Sequence, residues 1–217
     1  QVAADPGWLR YCRQNELGDG AWMCILVDPA WKGDKNWGEG DAASIQVWAF
    51  ERRGGLVLKY LVDGRTSNMM TERDGMNTIF QFASRFGALD CAPEEVGGYS
   101  FKTRLRDEAA SRGVPLNVID LKTSQTGKPT RIVTFLSECQ AGRVFVTEEC
   151  DAETKRVFLE QYCDFPQLDH DDAIDCAAYV CDPAVVEFVG VPFDADVSRP
   201  TWRRIPPAPQ ARTRYCG

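Results

Sequence analysis

The 217-residue sequence holds a single histidine, His170, and its nine cysteines include no Cys-x-x-Cys pair. They are scattered at positions 12, 24, 91, 139, 150, 163, 176, 181 and 216. The usual zinc-binding spacings are therefore missing, and an odd number of dispersed thiols does not describe a disulfide framework. Cys24 and Cys176 sit inside apolar runs, where a free thiol behaves as a small hydrophobe, so a reducing compartment is expected. No apolar run reaches the roughly 18 residues of a helical membrane span, and no signal-peptide pattern is present. Positive charge is also short. Lys and Arg total 25 against 32 Asp and Glu, a net charge of −7, and nothing in that balance suggests a nucleic-acid binder. A phosphate-binding loop is missing too: "TSQTGKPTRI" carries Gly-Lys without the upstream glycine or the following Ser or Thr. No internal repeat is visible. The chain begins at Gln1 rather than Met, so we read it as a piece of a longer protein.

What remains is ordinary globular material, 44% hydrophobic and 26% charged, long enough for one large domain. "WLRYCRQNEL" predicts a short helix within a polar N-terminal segment, 1–20. "AWMCILVDPAW" is an apolar run ending in an acid, the pattern of a strand buried on both faces. A Gly-, Asp- and Lys-rich loop follows it. "ASIQVWAFE" and "GLVLKYLVD" read as strands joined by a turn at "RRGG". Met76, Ile79, Phe80 and Ala83 fall at helical spacing within 71–88. Pro93 argues against a central strand at "LDCAPEEVGG". Helix and strand then alternate: a helix to Gly113, the strand "VPLNVIDL", the loop "LKTSQTGKPT", the helix "RIVTFLSECQAG", the strand "RVFVTE" and a helix capped by Asp151. Ile174, Ala177, Ala178 and Cys181 mark one face of a last helix. From 183 to 217 the pattern fades into a Pro- and Arg-bearing tail. A meander followed by alternating elements predicts an α/β fold with a mixed sheet flanked by helices.

Acids stand at three places along this pattern. Asp28 ends the first apolar strand, at the edge where sites form in such sheets; the plain alternative is a turn residue starting "DPAW". Glu94 and Glu95 follow another strand, and because neighbours on an extended chain face opposite ways, at most one of them faces Asp28. The third place is "FPQLDHDDAIDCAAYVC", with Asp169, Asp171, Asp172 and Asp175 inside seven positions. One or two acids at a helix start are favoured by the dipole. Four are not explained that way, because like charges a turn apart repel. A divalent cation reverses that cost, Mg²⁺ taking one or two carboxylates together with water. Two such ions can activate water and stabilise a leaving oxygen in phosphoryl transfer. His170 is read as a helix-start or packing residue, not as a general base.

The order "ILVDPAW", "EEVGG", "GKPTRI", "GRVFV" and "LDHDDAIDCAAY", across residues 20 to 182, resembles the nuclease domain of phage large terminase subunits. The resemblance implies a ribonuclease-H-like fold and a metal-dependent endonuclease that cuts concatemeric double-stranded DNA during packaging. It implies two Mg²⁺ or Mn²⁺ ions held by Asp28, Glu94, Asp171 and Asp172. Glu95 is the alternative second acid, Asp175 lies close by, and Asp41 resembles an acid of the loop after the first strand. Lys128 and Arg131 resemble a Lys-x-x-Arg segment that contacts phosphate or pairs with the acids. The implied organisation is an N-terminal linker or helix at 1–20, the nuclease domain at 21–182 and a tail at 183–217. The implied partners in a full-length protein are an ATPase motor, the portal and a small terminase subunit, with no membrane, in the host cytoplasm. Two rivals remain: a junction-resolving or transposase-like nuclease of the same fold, and a non-catalytic packaging-interaction module. Backbone contact with DNA would fall to the basic clusters at 51–53 and 102–106 and to the Arg-bearing tail.

Overall fold

A computed structural model describes residues 4–31, 42–94, 101–121, 127–167 and 170–190. Asp41, Glu95, Asp169 and the stretch from 191 to 217 lie outside them. Strand β1 spans Arg10–Cys12, β2 Trp22–Asp28, β3 Ala43–Arg53, β4 Leu56–Ser67, β5 Asp90–Pro93, β6 Asn117–Val118 and β7 Val144–Thr147. The helices are α1 Glu72–Phe86, α2 Phe101–Arg112, α3 Lys128–Gln140, α4 Ala152–Asp164, α5 Asp172–Ala178 and α6 Pro183–Gly190. The seven strands form one mixed sheet in the order β1-β7-β4-β3-β2-β5-β6. β2, β3 and β4 form an antiparallel meander, and β5, β6, β7 and β1 join it through parallel pairs.

The meander follows from the sequence directly. Strands β3 and β4 turn at Gly54 and Gly55, whose φ angles of +55° and +82° suit a tight hairpin and disfavour residues with a Cβ. Every residue of β2 except Met23 is buried, because helices cover both faces of the sheet. Its even positions Trp22, Cys24 and Leu26 pack with α3, α4 and α5 around Trp48, Phe135 and Phe158. Those three rings meet edge to face, with centroids 6.2 to 6.4 Å apart. The odd positions Ile25 and Val27 pack on the opposite face with Ile79, Phe80, Phe101 and Leu105 of α1 and α2.

Several features differ from the sequence pattern, among them the strand read over "VPLNVIDL", which is confined to Asn117–Val118. The stretch read as an N-terminal helix instead contains β1 between two single turns of 3-10 helix, Pro6–Trp8 and Gln14–Glu16. So short a helix is marginal alone, whereas β7 offers Arg10–Cys12 a parallel edge to pair with. Pro93 does sit in a strand with neighbours on both sides. The carbonyls of Leu89 and Cys91 accept from Asn117 and Ile119 on the β6 side. Pro93, two residues further on, faces that side just where β6 has ended, so its missing N–H leaves no gap in the ladder. Finally, α6 occupies the start of the segment read as a tail. Asp182 caps it by accepting from the Ala184 N–H at 2.8 Å, and Val185 is buried in the core.

A half-buried ion cluster braces the sheet. Lys59 of β4, 4% exposed, donates to Glu138 of α3 at 2.7 Å, and Arg143 Nε donates to the same carboxylate at 2.8 Å. The hydrogen bonds from Arg143 and then Lys59 outweigh burial and hold the Glu138 carboxyl at about 2. Its contribution to stability is therefore complete above its unfolded value of 4.5 and is lost as pH falls toward 2. Glu138→Gln is expected to cost about 2 kcal/mol at pH 7. In urea melts that difference should shrink steadily below pH 4; a cost that is constant with pH contradicts the assignment.

Candidate active site

The site forms where β2 and β5 end. The two strands are parallel and in register, Leu26 beside Ala92 and Val27 beside Pro93. The next step puts Asp28 beside Glu94, and the Glu94 N–H donates to the Val27 carbonyl at 2.8 Å. Leu26 and Ala92 both point into the core under α3, α4 and α5. Side chains two residues further along point the same way, so Asp28 and Glu94 both face those helices. The register therefore places Glu94 beside Asp28.

Helix α5 is fixed over this corner by polar contacts from β3. Ser44 pairs with Asp28 across the β2–β3 ladder, and its carbonyl accepts from Cys176 Sγ at 3.5 Å. Buried Gln46 donates from Nε2 to the Ala173 carbonyl at 2.7 Å and accepts from Trp48 Nε1 at 2.9 Å. Asp172, Asp175 and Tyr179 fall at i, i+3 and i+7, so one face of α5 and its continuing turn presents all three.

The aspartates do not serve as side-chain caps. Asp171, at the N-cap position, makes no side-chain capping bond. Gln161 of α4 does that work instead: its Oε1 accepts from the N–H groups of Ala173 at 2.7 Å and Ile174 at 3.2 Å. Asp172 accepts from the Ala42 N–H at 2.9 Å, tying down the chain just before β3. Asp175 is 3% exposed and takes two hydrogen bonds from Arg131, at 3.0 and 2.6 Å. Lys128 Nζ lies 2.6 Å from Asp171 and 3.5 Å from Asp175. The pair Lys128 and Arg131 thus meets the acids from the first turn of α3. That helix starts at Lys128, earlier than the sequence pattern indicates, because Pro129 is tolerated in a first turn. His170 is exposed.

The electrostatics show how crowded the corner is. Burial pushes the Asp28 carboxyl up to about 8, and the charges of Glu94, Asp175 and Asp172 add to the rise while Lys128 opposes it. Burial also raises Asp175, with Arg131 pulling against it. Carboxylates from a first strand, a later strand and a C-terminal helix therefore share one field, although they lie up to 147 positions apart in sequence (28 to 175). Among the described residues no three His, Cys, Asp or Glu side chains close into a cage around an ion. The oxygen-only donor set nonetheless suits a hard cation such as Mg²⁺ or Mn²⁺, which takes few carboxylates and completes its shell with water.

Sequence reasoning missed Gln161 and Tyr179. Nothing local marks Gln161, because its role depends on α4 meeting α5. Tyr179 was legible from its spacing to Asp172 alone. Several members of the basic clusters at 51–53 and 102–106 are paired within the fold: Arg53 with Glu51, Arg104 with Glu72, and Lys102 with Asp120 at 3.1 Å, while the Arg-bearing tail lies outside the described residues.

No family profile and no curated protein sequence matches the chain. Solved structures do. The P22 large terminase nuclease domain superposes with a TM-score of 0.54 at 14% identity, over 84% of this chain and 93% of that one. The human cytomegalovirus terminase nuclease domain gives 0.58 at 14% identity, over 86% and 98%. The same domain soaked with Mn gives 0.57 at 11%, with the same coverage. At such identities the likeness is one of fold. With its seven-stranded mixed sheet flanked by helices, the chain has the ribonuclease-H-like fold of viral large-terminase nuclease domains.

Proposed function

We propose that the chain is the metal-dependent endonuclease domain of a viral DNA-packaging terminase, hydrolysing phosphodiester bonds of double-stranded DNA. The observation that supports this best is the convergence of Asp28 and Glu94 with the α5 acids at one sheet corner. Those acids are released from capping by Gln161 and, at Asp28, held up to about 8 by burial and mutual repulsion. On this reading Asp28, Glu94, Asp171 and Asp172 present oxygens to two Mg²⁺ or Mn²⁺ ions, with Asp175 beside them. The chemistry supplied by the bound metal is activation of water and neutralisation of charge on the departing 3′ oxygen. The chain's own contributions are structural and electrostatic. The parallel register of β2 and β5 aligns two carboxylates. Arg131 fixes the orientation of Asp175 with a two-point contact. Lys128, paired with Asp171, is placed to exchange that carboxylate for a phosphate oxygen. No side chain is assigned as a covalent nucleophile.

The proposed unit is 21–182, with β1 and α6 packed onto it. The ATPase motor, portal and small terminase subunit belong to the full-length context, as does the host cytoplasm. No described helix is long and apolar enough to cross a membrane. With so many surface arginines paired internally, DNA affinity of the isolated chain is expected to be weak and strongly salt-dependent.

Plasmid nicking with Mn²⁺ tests the proposal. Cleavage should fall at least about 100-fold in both Asp28→Ala and Asp171→Ala, since each removes a ligand of the hydrolytic centre. Undiminished cleavage by both purified variants would refute it. A substrate panel separates the rivals: preference for four-way junctions over linear duplex identifies a junction-resolving nuclease, and no cleavage of any DNA with either metal identifies an interaction module.

A further inference from the structure

Tyr179 stands out among the buried polar groups. It is 0% exposed, yet its hydroxyl has no hydrogen-bond partner among the described residues. A buried phenol O–H normally finds an acceptor, and leaving one unmade costs free energy. The ring itself is well held: Arg131 lies over it with the guanidinium carbon 4.6 Å from the centroid, while the same guanidinium binds Asp175. Tyr179 also shares the face of α5 that carries Asp172 and Asp175. Its hydroxyl feels the field of the acidic corner. Burial raises its pKa first, and then the charges of Asp28, Glu94 and Asp175 raise it further, against Arg131. Such a group stays protonated, so toward a carboxylate it donates, while its oxygen can still accept from water.

Resting on the proposed function above, we propose that Tyr179 is a positioning residue of the acidic site: its hydroxyl shares a hydrogen bond with a water in the shell of a divalent cation held by Asp28, Glu94 and the α5 acids. This accounts for a hydroxyl buried without a protein partner among the described residues, at a place where the packing already secures the ring.

Tyr179→Phe keeps the ring, its packing and its stacking under Arg131, and removes only the O–H. Two measurements are made on the whole chain. In chelator, thermal melting of Tyr179→Phe should match or exceed that of wild type, because a buried unsatisfied hydroxyl has been deleted. In a calorimetric titration with Mn²⁺ alone, the variant should bind roughly 10-fold more weakly, the scale of one hydrogen bond to a charged centre. A lower metal-free melting temperature would show that the hydroxyl serves the fold, and unchanged Mn²⁺ affinity would show that it does not serve the metal; either result overturns the proposal. Failure of the underlying reading looks different: wild type and Asp28→Asn would then take up Mn²⁺ equally poorly.

Discussion

Asp28→Asn should melt at a higher temperature than wild type in metal-free buffer near pH 8, while losing nuclease activity by at least about 100-fold. The expectation follows from where the carboxyl sits. Asp28 is 8% exposed and is surrounded by Glu94, Asp175 and Asp172, and its carboxyl is pushed from 3.8 up to about 8. This is the reverse of the usual stabilising aspartate. Below pH 3.8 the group is neutral in both the folded and the unfolded chain and has no effect. As pH rises from 3.8 toward 8 the unfolded chain releases its proton and the folded one does not, so the fold is progressively disfavoured; above about 8 the penalty levels off. A shift of that size corresponds to several kcal/mol at its limit, on the order of 5. The amide keeps the shape and removes the charge. The melting difference between Asp28→Asn and wild type should therefore be near zero at pH 3.5, grow through neutrality and reach a plateau. Mn²⁺ should then raise the stability of wild type and leave the variant nearly unmoved. A variant that is no more stable than wild type at pH 8 would show that Asp28 carries no such penalty.

The second large effect belongs to Arg131. Its guanidinium is the main counter-charge to Asp175, with both side chains buried and only 2.6 Å separating Nη2 from Oδ1. Removing the cation strands a carboxylate whose burial already raises its pKa. Arg131→Ala is expected to destabilise the chain by about 3–5 kcal/mol, on the order of 10 °C in melting temperature for a protein of this size. Part of that loss comes from the contact with Tyr179. The remainder is electrostatic, and a double-mutant cycle isolates it. Adding Asp175→Asn to Arg131→Ala should recover a large share of the stability, because the stranded charge is gone. Strictly additive costs in that cycle would mean that the two groups do not depend on one another.

The sequence and the structure part company in an instructive way. The meander, the alternation after it and the helical face of α5 are all written in apolar periodicity, which depends only on which residues avoid water. That is why β2 to β4, α1, α3, α4 and β7 are readable from the chain. Asp28 was legible as an acid closing a buried strand, and the α5 cluster as an excess of like charge. The placement of Glu94 beside Asp28 was not, because it depends on the register of β5 against β2, which no local pattern encodes. Strand β1 was also hidden, since three residues have too little pattern and owe their conformation to the edge of β7. Gln161 shows the same limit from another direction: a neutral side chain on α4 gains its role only when two helices meet.

The two ends of the sheet carry a consequence for how this molecule can associate. Among the described residues β1 contributes three and β6 two, so the terminal strands are the shortest the sheet contains. A rim that short offers an incoming strand almost no ladder to extend, which guards the chain against stacking rim to rim into fibrils. Among the described residues, helix and loop surfaces rather than strand addition are then what the fold offers to another chain.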